Sequence, residues 1–249
     1  MFLHEVLKRP EQLLGVPDLA PVMRSPHVVA DHLLHLLRPL VEMHQVFAQQ
    51  RGIVLPDVFM LGDGAAQDFV MSCASQEQVL DAFLGWIEDY DPDVLIGWNV
   101  VNFDTRYLQR LCDNLGRRLV LGRERRPGHW RELDEDGQRF AVHFPGRVVL
   151  DGIELLRAAF YRFESFSLEN VARQLLGEGK LLHGAGRGQE IGRLFHADKT
   201  SLAQYNLKDC ELVSDIFEHT ALMDFAVARS LMTGLNVDRL GGSVASFDN

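Results

Sequence analysis

Cysteine is scarce and scattered: Cys73, Cys112 and Cys210 are the three in 249 residues, and no C-x-x-C pair occurs. A disulfide framework and a cysteine-rich zinc site are therefore excluded, and the three read as reduced, buried small hydrophobes. No apolar run approaches the roughly 18–20 residues of a membrane span. Met1–Glu5 leads into Lys8-Arg9-Pro10 without the apolar stretch of a signal peptide, so a cytoplasmic location and no membrane partner are expected. Positive charge is also short, with 25 Lys+Arg against 35 Asp+Glu and a formal net charge of -10. The surface as a whole cannot wrap duplex DNA electrostatically, and any nucleic-acid contact is local. What is present, 47% hydrophobic and 24% charged residues, excludes disorder and collagen-like chains and is enough for one substantial core or two small ones.

The first fifty residues differ from the rest. Residues 1–26 carry Pro10, Pro17, Pro21 and Pro26 and read as loop, while Val29, Leu33, Leu36, Leu37, Leu40 and Phe47 have helical spacing interrupted by Pro39. His32 and His35 share a helical face, but no third ligand of fitting geometry is evident, and solvated surface histidines are the better reading. From residue 51 strands and helices alternate, which predicts an α/β fold. Strands are expected at Ile53–Leu55, Val58–Leu61 and Val94–Trp98, the last an unbroken apolar run of the kind covered on both faces. Helices are expected over 76–90, capped by Ser75, over 105–115, ending at Gly116, and after the caps Asp151 and Ser167. A long helix follows over 201–219, then another to about 232. Leu119–Leu121, Phe140–Phe144 and Val148–Leu150, joined by turn signals at Asp134–Gly137 and Pro145-Gly146, read as a β-ribbon.

Two aspartates stand out. Asp209 falls in the apolar stripe Leu202, Tyr205, Leu212, Val213, Ile216 of the last long helix, four residues after Tyr205 and on the same face. A carboxylate aimed at a core must be paired, hydrogen-bonded or bound to a cation, and an arginine or a helix N-terminus across the cleft would serve as well as a metal. Asp104 follows the buried strand within a few residues, near the strand's carboxyl end, where open α/β sheets place ligands. An aspartate before a helix is also an ordinary cap.

The strings Asp91-Pro-Asp-Val-Leu-Ile-Gly-Trp-Asn99-Val-Val-Asn-Phe103-Asp104 and Tyr205-Asn-Leu-Lys-Asp209 resemble the second and third exonuclease motifs of family B DNA polymerases, in the tyrosine-type branch of the DEDD exonucleases. Leu150–Leu156, Ser165–Lys180 and Asn236–Phe247 look like that family's connecting segments, and the likeness covers residues 57–249. The resemblance implies a ribonuclease-H-like 3'-5' proofreading exonuclease acting on the 3' end of single-stranded DNA. It implies two divalent cations, Mg²⁺ or Mn²⁺, held by four carboxylates, of which Asp104 and Asp209 would be two. Tyr205 would orient the attacking water, Phe103 would stack on the terminal base, and Asn99 would contact the substrate. Gln204 stands where the histidine-type branch has its histidine. On this reading residues 1–50 are a segment without family likeness, 51–226 the exonuclease-like domain, and 227–249 a lead into a polymerase palm, in a chain expected to be monomeric.

The family pattern also calls for an Asp-x-Glu pair on the first, central strand, and no aspartate before Asp91 has a glutamate two places on. Asp89-x-Asp91 is the nearest approach, too close to the second motif to serve. The sheet is thus expected to be incomplete at its first strand unless Ile53–Leu61 moves over to fill the gap. An active nuclease with substitute carboxylates, a non-catalytic DNA-binding remnant and a misread gene fragment all fit this pattern. The basic run Arg117, Arg118, Arg123, Arg125, Arg126, Arg131, with His129 and Trp130 inside it, suits a DNA backbone track or a solvated ribbon surface. Gly184–Gly188 follows no strand and reads as loop.

Overall fold

A computed structural model describes residues 58–63, 67–134, 139–179 and 193–239. The expected helix in 27–50 with its histidines, the Ile53–Leu55 strand, most of the Asp134–Gly137 turn, the Gly184–Gly188 loop and the Gly241–Phe247 segment lie outside them.

The core is built around one parallel strand pair. Strand β1 (Val58–Leu61) pairs in parallel with β2 (Val70–Cys73), and helix α1 (Gln76–Tyr90) leads into β3 (Val94–Gly97). Helix α2 (Arg106–Asn114) follows, then the antiparallel ribbon β4 (His129–Glu132) and β5 (Phe140–His143), then β6 (Val148–Asp151), which pairs in parallel with β3. Helices α3 (Gly152–Ala158), α4 (Leu168–Leu176), α5 (Lys199–His219) and α6 (Leu222–Thr233) complete the described order.

Alternation along β3 and β6 sends side chains to two cores. Val94, Ile96 and Leu150 face α3 to α6, where Leu155, Leu156, Val171, Leu212, Val213, Ile216 and Leu222 are buried. Leu95 and Val149 face Leu80, Phe83, Leu84 and Ile87 of α1 and Leu108 and Cys112 of α2. Burying each such side chain stabilises the fold by about 1.5–3 kcal/mol, so the pair is fixed from both faces. The sheet register then places Gly97 beside Asp151 at the carboxyl edge.

The local caps form as the sequence predicts. Ser75 accepts from the Gln78 amide, and the Gln78 side chain reaches back to the Ala74 amide. Asp151 accepts from the Ile153 and Glu154 amides, Ser167 accepts from Asn170, and Gly177 closes α4 at φ 72°. All three cysteines are buried and free.

The expected ribbon is corrected. Leu119–Leu121 is not a ribbon strand: Leu119 and Leu121 are buried, but the Leu121 carbonyl accepts from Arg147 Nε at 2.9 Å instead of joining a ladder. The ribbon is formed by His129–Glu132 with Phe140–His143, and Val148–Asp151 leaves it to pair with β3. Val58–Leu61 pairs with β2 and does not fill the gap beside β3, which among the described residues pairs with β6 alone. No described helix is long and apolar enough to cross a membrane.

Candidate active site

The site begins where the chain leaves β3. Trp98 is anchored by its Nε1, which donates to the Phe166 carbonyl at 2.9 Å. Asn99 then turns the backbone at φ 59°, a left-handed conformation that asparagine tolerates better than most residues. Residues Val101–Thr105 form one wide π turn in which the Thr105 amide donates to the Val100 carbonyl at 2.9 Å, five residues back. Such a turn strands a carbonyl. The Thr105 hydroxyl relieves it, donating to the Val101 carbonyl at 2.8 Å and lying 3.1 Å from the Val100 carbonyl oxygen.

The wide turn separates two neighbours by environment. Asp104 is 1% exposed, whereas Phe103 is 62% exposed. Asp104 is thus not the helix cap that its sequence position also allowed: the residue before α2 is Thr105, in helical conformation and making no capping hydrogen bond. Asn102, which sequence reasoning passed over, accepts from the Phe140 amide at 2.8 Å and ties the turn to β5. Its signal was its place between Asn99 and Asp104.

Helix α5 brings the second pair. Asp198 caps it by accepting from the Ser201 amide, and Lys199 Nζ donates to the Leu61 carbonyl at 2.8 Å, fixing its first turn to the end of β1. Gly62 makes room for that lysine, since a Cβ there would lie 2.5 Å from Lys199 Nζ. Tyr205 is buried among Val58, Met60, Leu194, Leu202 and Ala203, while Leu212, Val213, Ile216 and Phe217 on the same helix join the core under β3 and β6. Asp209 lies between these clusters, 1% exposed and one helical turn from Tyr205. The stripe predicted for this helix is buried as a whole.

A third carboxylate reaches the carboxyl edge. Asp151 closes β6, caps α3 through Oδ1 and also accepts from the Val101 amide at the start of the wide turn. Its Oδ2 is buried and accepts no hydrogen bond. Burial, opposed by those amide bonds, pushes its pKa up to about 6. The sequence showed it as a cap; an acid closing an apolar strand was the further signal.

These acids offer hard oxygen donors, suited to Mg²⁺ or Mn²⁺. Their number falls short of the family pattern, and among the described residues no group of three or more His, Cys, Asp or Glu side chains has metal-binding geometry.

The basic run turns out to be largely committed. Arg117 pairs with Asp81, Arg123 with Asp91 and Asp93, Arg125 with Glu88 at 3.6 Å and Arg126 with Glu124 at 3.8 Å. Asp91, the nearest approach to a paired-acid motif, is held by Arg123 and Arg147.

Residues 51–171 match the family model for the exonuclease domain of family B DNA polymerases. The chain belongs to that family and carries its exonuclease domain. Among individual relatives it is 48% identical over 196 residues to DNA polymerase II of Escherichia coli (strain K12), an alignment covering 76% of this chain and 25% of that protein. The DNA polymerases of Desulfurococcus sp. (strain Tok) and Thermococcus litoralis are 30% and 28% identical over 169 and 163 residues, covering 66% and 65% of this chain and 21% and 9% of theirs. The chain therefore spans a quarter or less of the length of these relatives.

Proposed function

We propose that this chain binds the 3' end of single-stranded DNA at the carboxyl edge of β3 and hydrolyses its terminal phosphodiester slowly, in a ribonuclease-H-like exonuclease domain of the cytoplasm. One observation carries the reading: two almost fully buried carboxylates, Asp104 and Asp209, flanked by an exposed Phe103 and a buried Tyr205 in the spacing of the two family motifs. Residues 227–249 would lead toward a polymerase palm.

Asp104 and Asp209 would hold a divalent cation, which when bound supplies Lewis-acid stabilisation of the phosphoryl oxygens. Phe103 presents an aromatic face for the terminal base, and Asn99 lies on the same exposed turn. The Tyr205 phenol orients the attacking water. The new bond joins the water oxygen to phosphorus, and the bond broken is that to the 3' oxygen of the preceding nucleotide, which takes up a proton. Without an Asp-x-Glu pair less negative charge faces the ion, and the rate should lie orders of magnitude below that of a four-carboxylate site.

The missing pair and the absence of a three-ligand cluster among the described residues favour a second reading, binding without cleavage. One assay separates the two. Purified chain with 5'-labelled single-stranded DNA and Mg²⁺ should give a slow ladder from the 3' end, abolished by EDTA and by Asp209→Ala. Retained binding with no ladder supports the second reading, whereas rapid Mg²⁺-dependent degradation lost in Asp209→Ala would mean that another ligand completes the site.

A further inference from the structure

Helix α2 carries a face that neither core nor ribbon uses. At about 100° per residue, Tyr107, Arg110 and Asn114 fall within about 60° of one another around the axis, and the exposed Phe103 precedes them on the wide turn. Leu108 and Cys112 point to the opposite side, into the core, and Arg106 turns to the ribbon, its guanidinium 4.0 Å from the Phe140 ring centre and 5.2 Å from that of Trp130. Tyr107 is 54% exposed and Phe103 62%, so two aromatic rings one turn apart stand in water directly beside Asp104. Arg110 is exposed and makes no ion pair with a described carboxylate, in contrast to Arg117, Arg123, Arg125 and Arg126. In a chain of net charge -10, this line bears two aromatics, one cation and an amide, and no acid.

We propose that Tyr107 and Arg110 extend the strand-binding surface, Tyr107 stacking on a base 5' to the terminal one and Arg110 pairing with a backbone phosphate farther along. The inference rests on the reading of the site as a binder of single-stranded DNA 3' ends and adds the path of the strand beyond Phe103. Sequence-tolerant single-strand binding requires this combination of ring faces and a cation. The rise from Tyr107 to Arg110 is about 4.5 Å, short enough for both to touch one nucleotide step.

The test is fluorescence anisotropy of the full chain with a 5'-fluorescein oligothymidylate of about eight nucleotides, in EDTA so that nothing is cleaved. Tyr107→Ala should weaken binding about tenfold with Tyr107→Phe close to the parent, in line with the usual loss of a base–aromatic stack. Arg110→Ala should lower the slope of log affinity against log salt by about 0.7, with Arg110→Lys restoring it. Thermal melting of each variant checks that these exposed substitutions leave the fold intact. If Phe103→Ala is impaired while Tyr107→Ala and Arg110→Ala bind like the parent, the extension is wrong and the terminal-base role stands. If the parent does not bind at all, both readings fall. If Tyr107→Ala is impaired and Phe103→Ala is not, the extension holds and the terminal-base role is what fails.

Discussion

The two ends of the β3–β6 pair handle acidic residues in opposite ways. At the amino end, Arg123 Nε donates to Asp91 at 2.8 Å and its Nη2 bonds Asp93, while Arg147, 3% exposed at its side chain, reaches Asp91 at 3.1 Å and the carbonyls of Pro92, Ile87 and Leu121. Burial raises the Asp93 carboxyl above its usual range despite the Arg123 bond; for Asp91 burial acts the same way, but Arg123 and Arg147 outweigh it and hold the carboxyl low. At the carboxyl end, Asp151 accepts from backbone amides and has the Glu154 carboxylate as its charged neighbour, and Asp104 and Asp209 are withdrawn from water on either side of it in sequence. Two arginines turn the acids of the amino end into a strut, whereas the hydrogen bonds that Asp151 accepts at the carboxyl end come from the backbone. A pocket of about 250 Å³ does lie at the amino end, lined by Asp91, Arg123 and Arg147, but its charges already answer one another.

This contrast can be broken from either side. The largest effect is expected for Arg147→Met, which leaves Asp91 short of a cation and three carbonyls short of a donor. Chemical denaturation should show a loss of about 3–5 kcal/mol, from buried carbonyls that lose a donor, with single-strand affinity unchanged at temperatures where the variant is folded; weakened DNA binding would join the two ends functionally and dissolve the contrast.

Next comes Asp151→Asn. A folded pKa of about 6 lies above the value near 3.9 of an unfolded aspartate. Its ionisation therefore costs nothing below about pH 4, and the cost grows as pH rises and is complete above about pH 6, reaching about 2–3 kcal/mol. Asparagine keeps the cap without the charge. The variant should melt higher than the parent at pH 8 and alike at pH 4, and a pH-independent difference would mean that Asp151 is ionised at no cost. Smallest is Arg117→Ala, whose pair with Asp81 is exposed on both sides; denaturation should detect no more than about 1 kcal/mol, and a larger loss would make the basic run a strut throughout.

The parts of this fold that sequence discloses are those decided within a few residues. Ser75 and Gln78, Asp151 and Glu154, and Ser167 and Gly177 set helix ends by local hydrogen bonds, and the stripe of α5 needs only its own period. The ribbon escaped because Leu119–Leu121 looks more strand-like than His129–Glu132. The difference is made at long range by Arg147, which takes the Leu121 carbonyl, and by Gln109, whose Oε1 accepts from Trp130 Nε1 at 3.0 Å. Asp104 and Asp209 were visible as charges in apolar places. The wide turn at Val101–Thr105 was not, because a five-residue loop of hydrogen bonds has no distinctive composition and differs from an ordinary helical start by one residue.

That one residue has a genetic consequence. Deleting a single codon between Asn99 and Thr105 would close the wide turn to ordinary helical pitch and rotate everything from Arg106 to Asn114 by about 100°. Leu108 and Cys112, 1% and 0% exposed, would swing away from α1, and Arg106 would leave the Trp130 and Phe140 rings. Such an allele would be lost as a folding defect before its effect on a nucleic-acid substrate was ever exposed to selection. The spacing of this motif is therefore inherited through two independent constraints, and a lineage that abandoned cleavage altogether would still be expected to carry it unaltered.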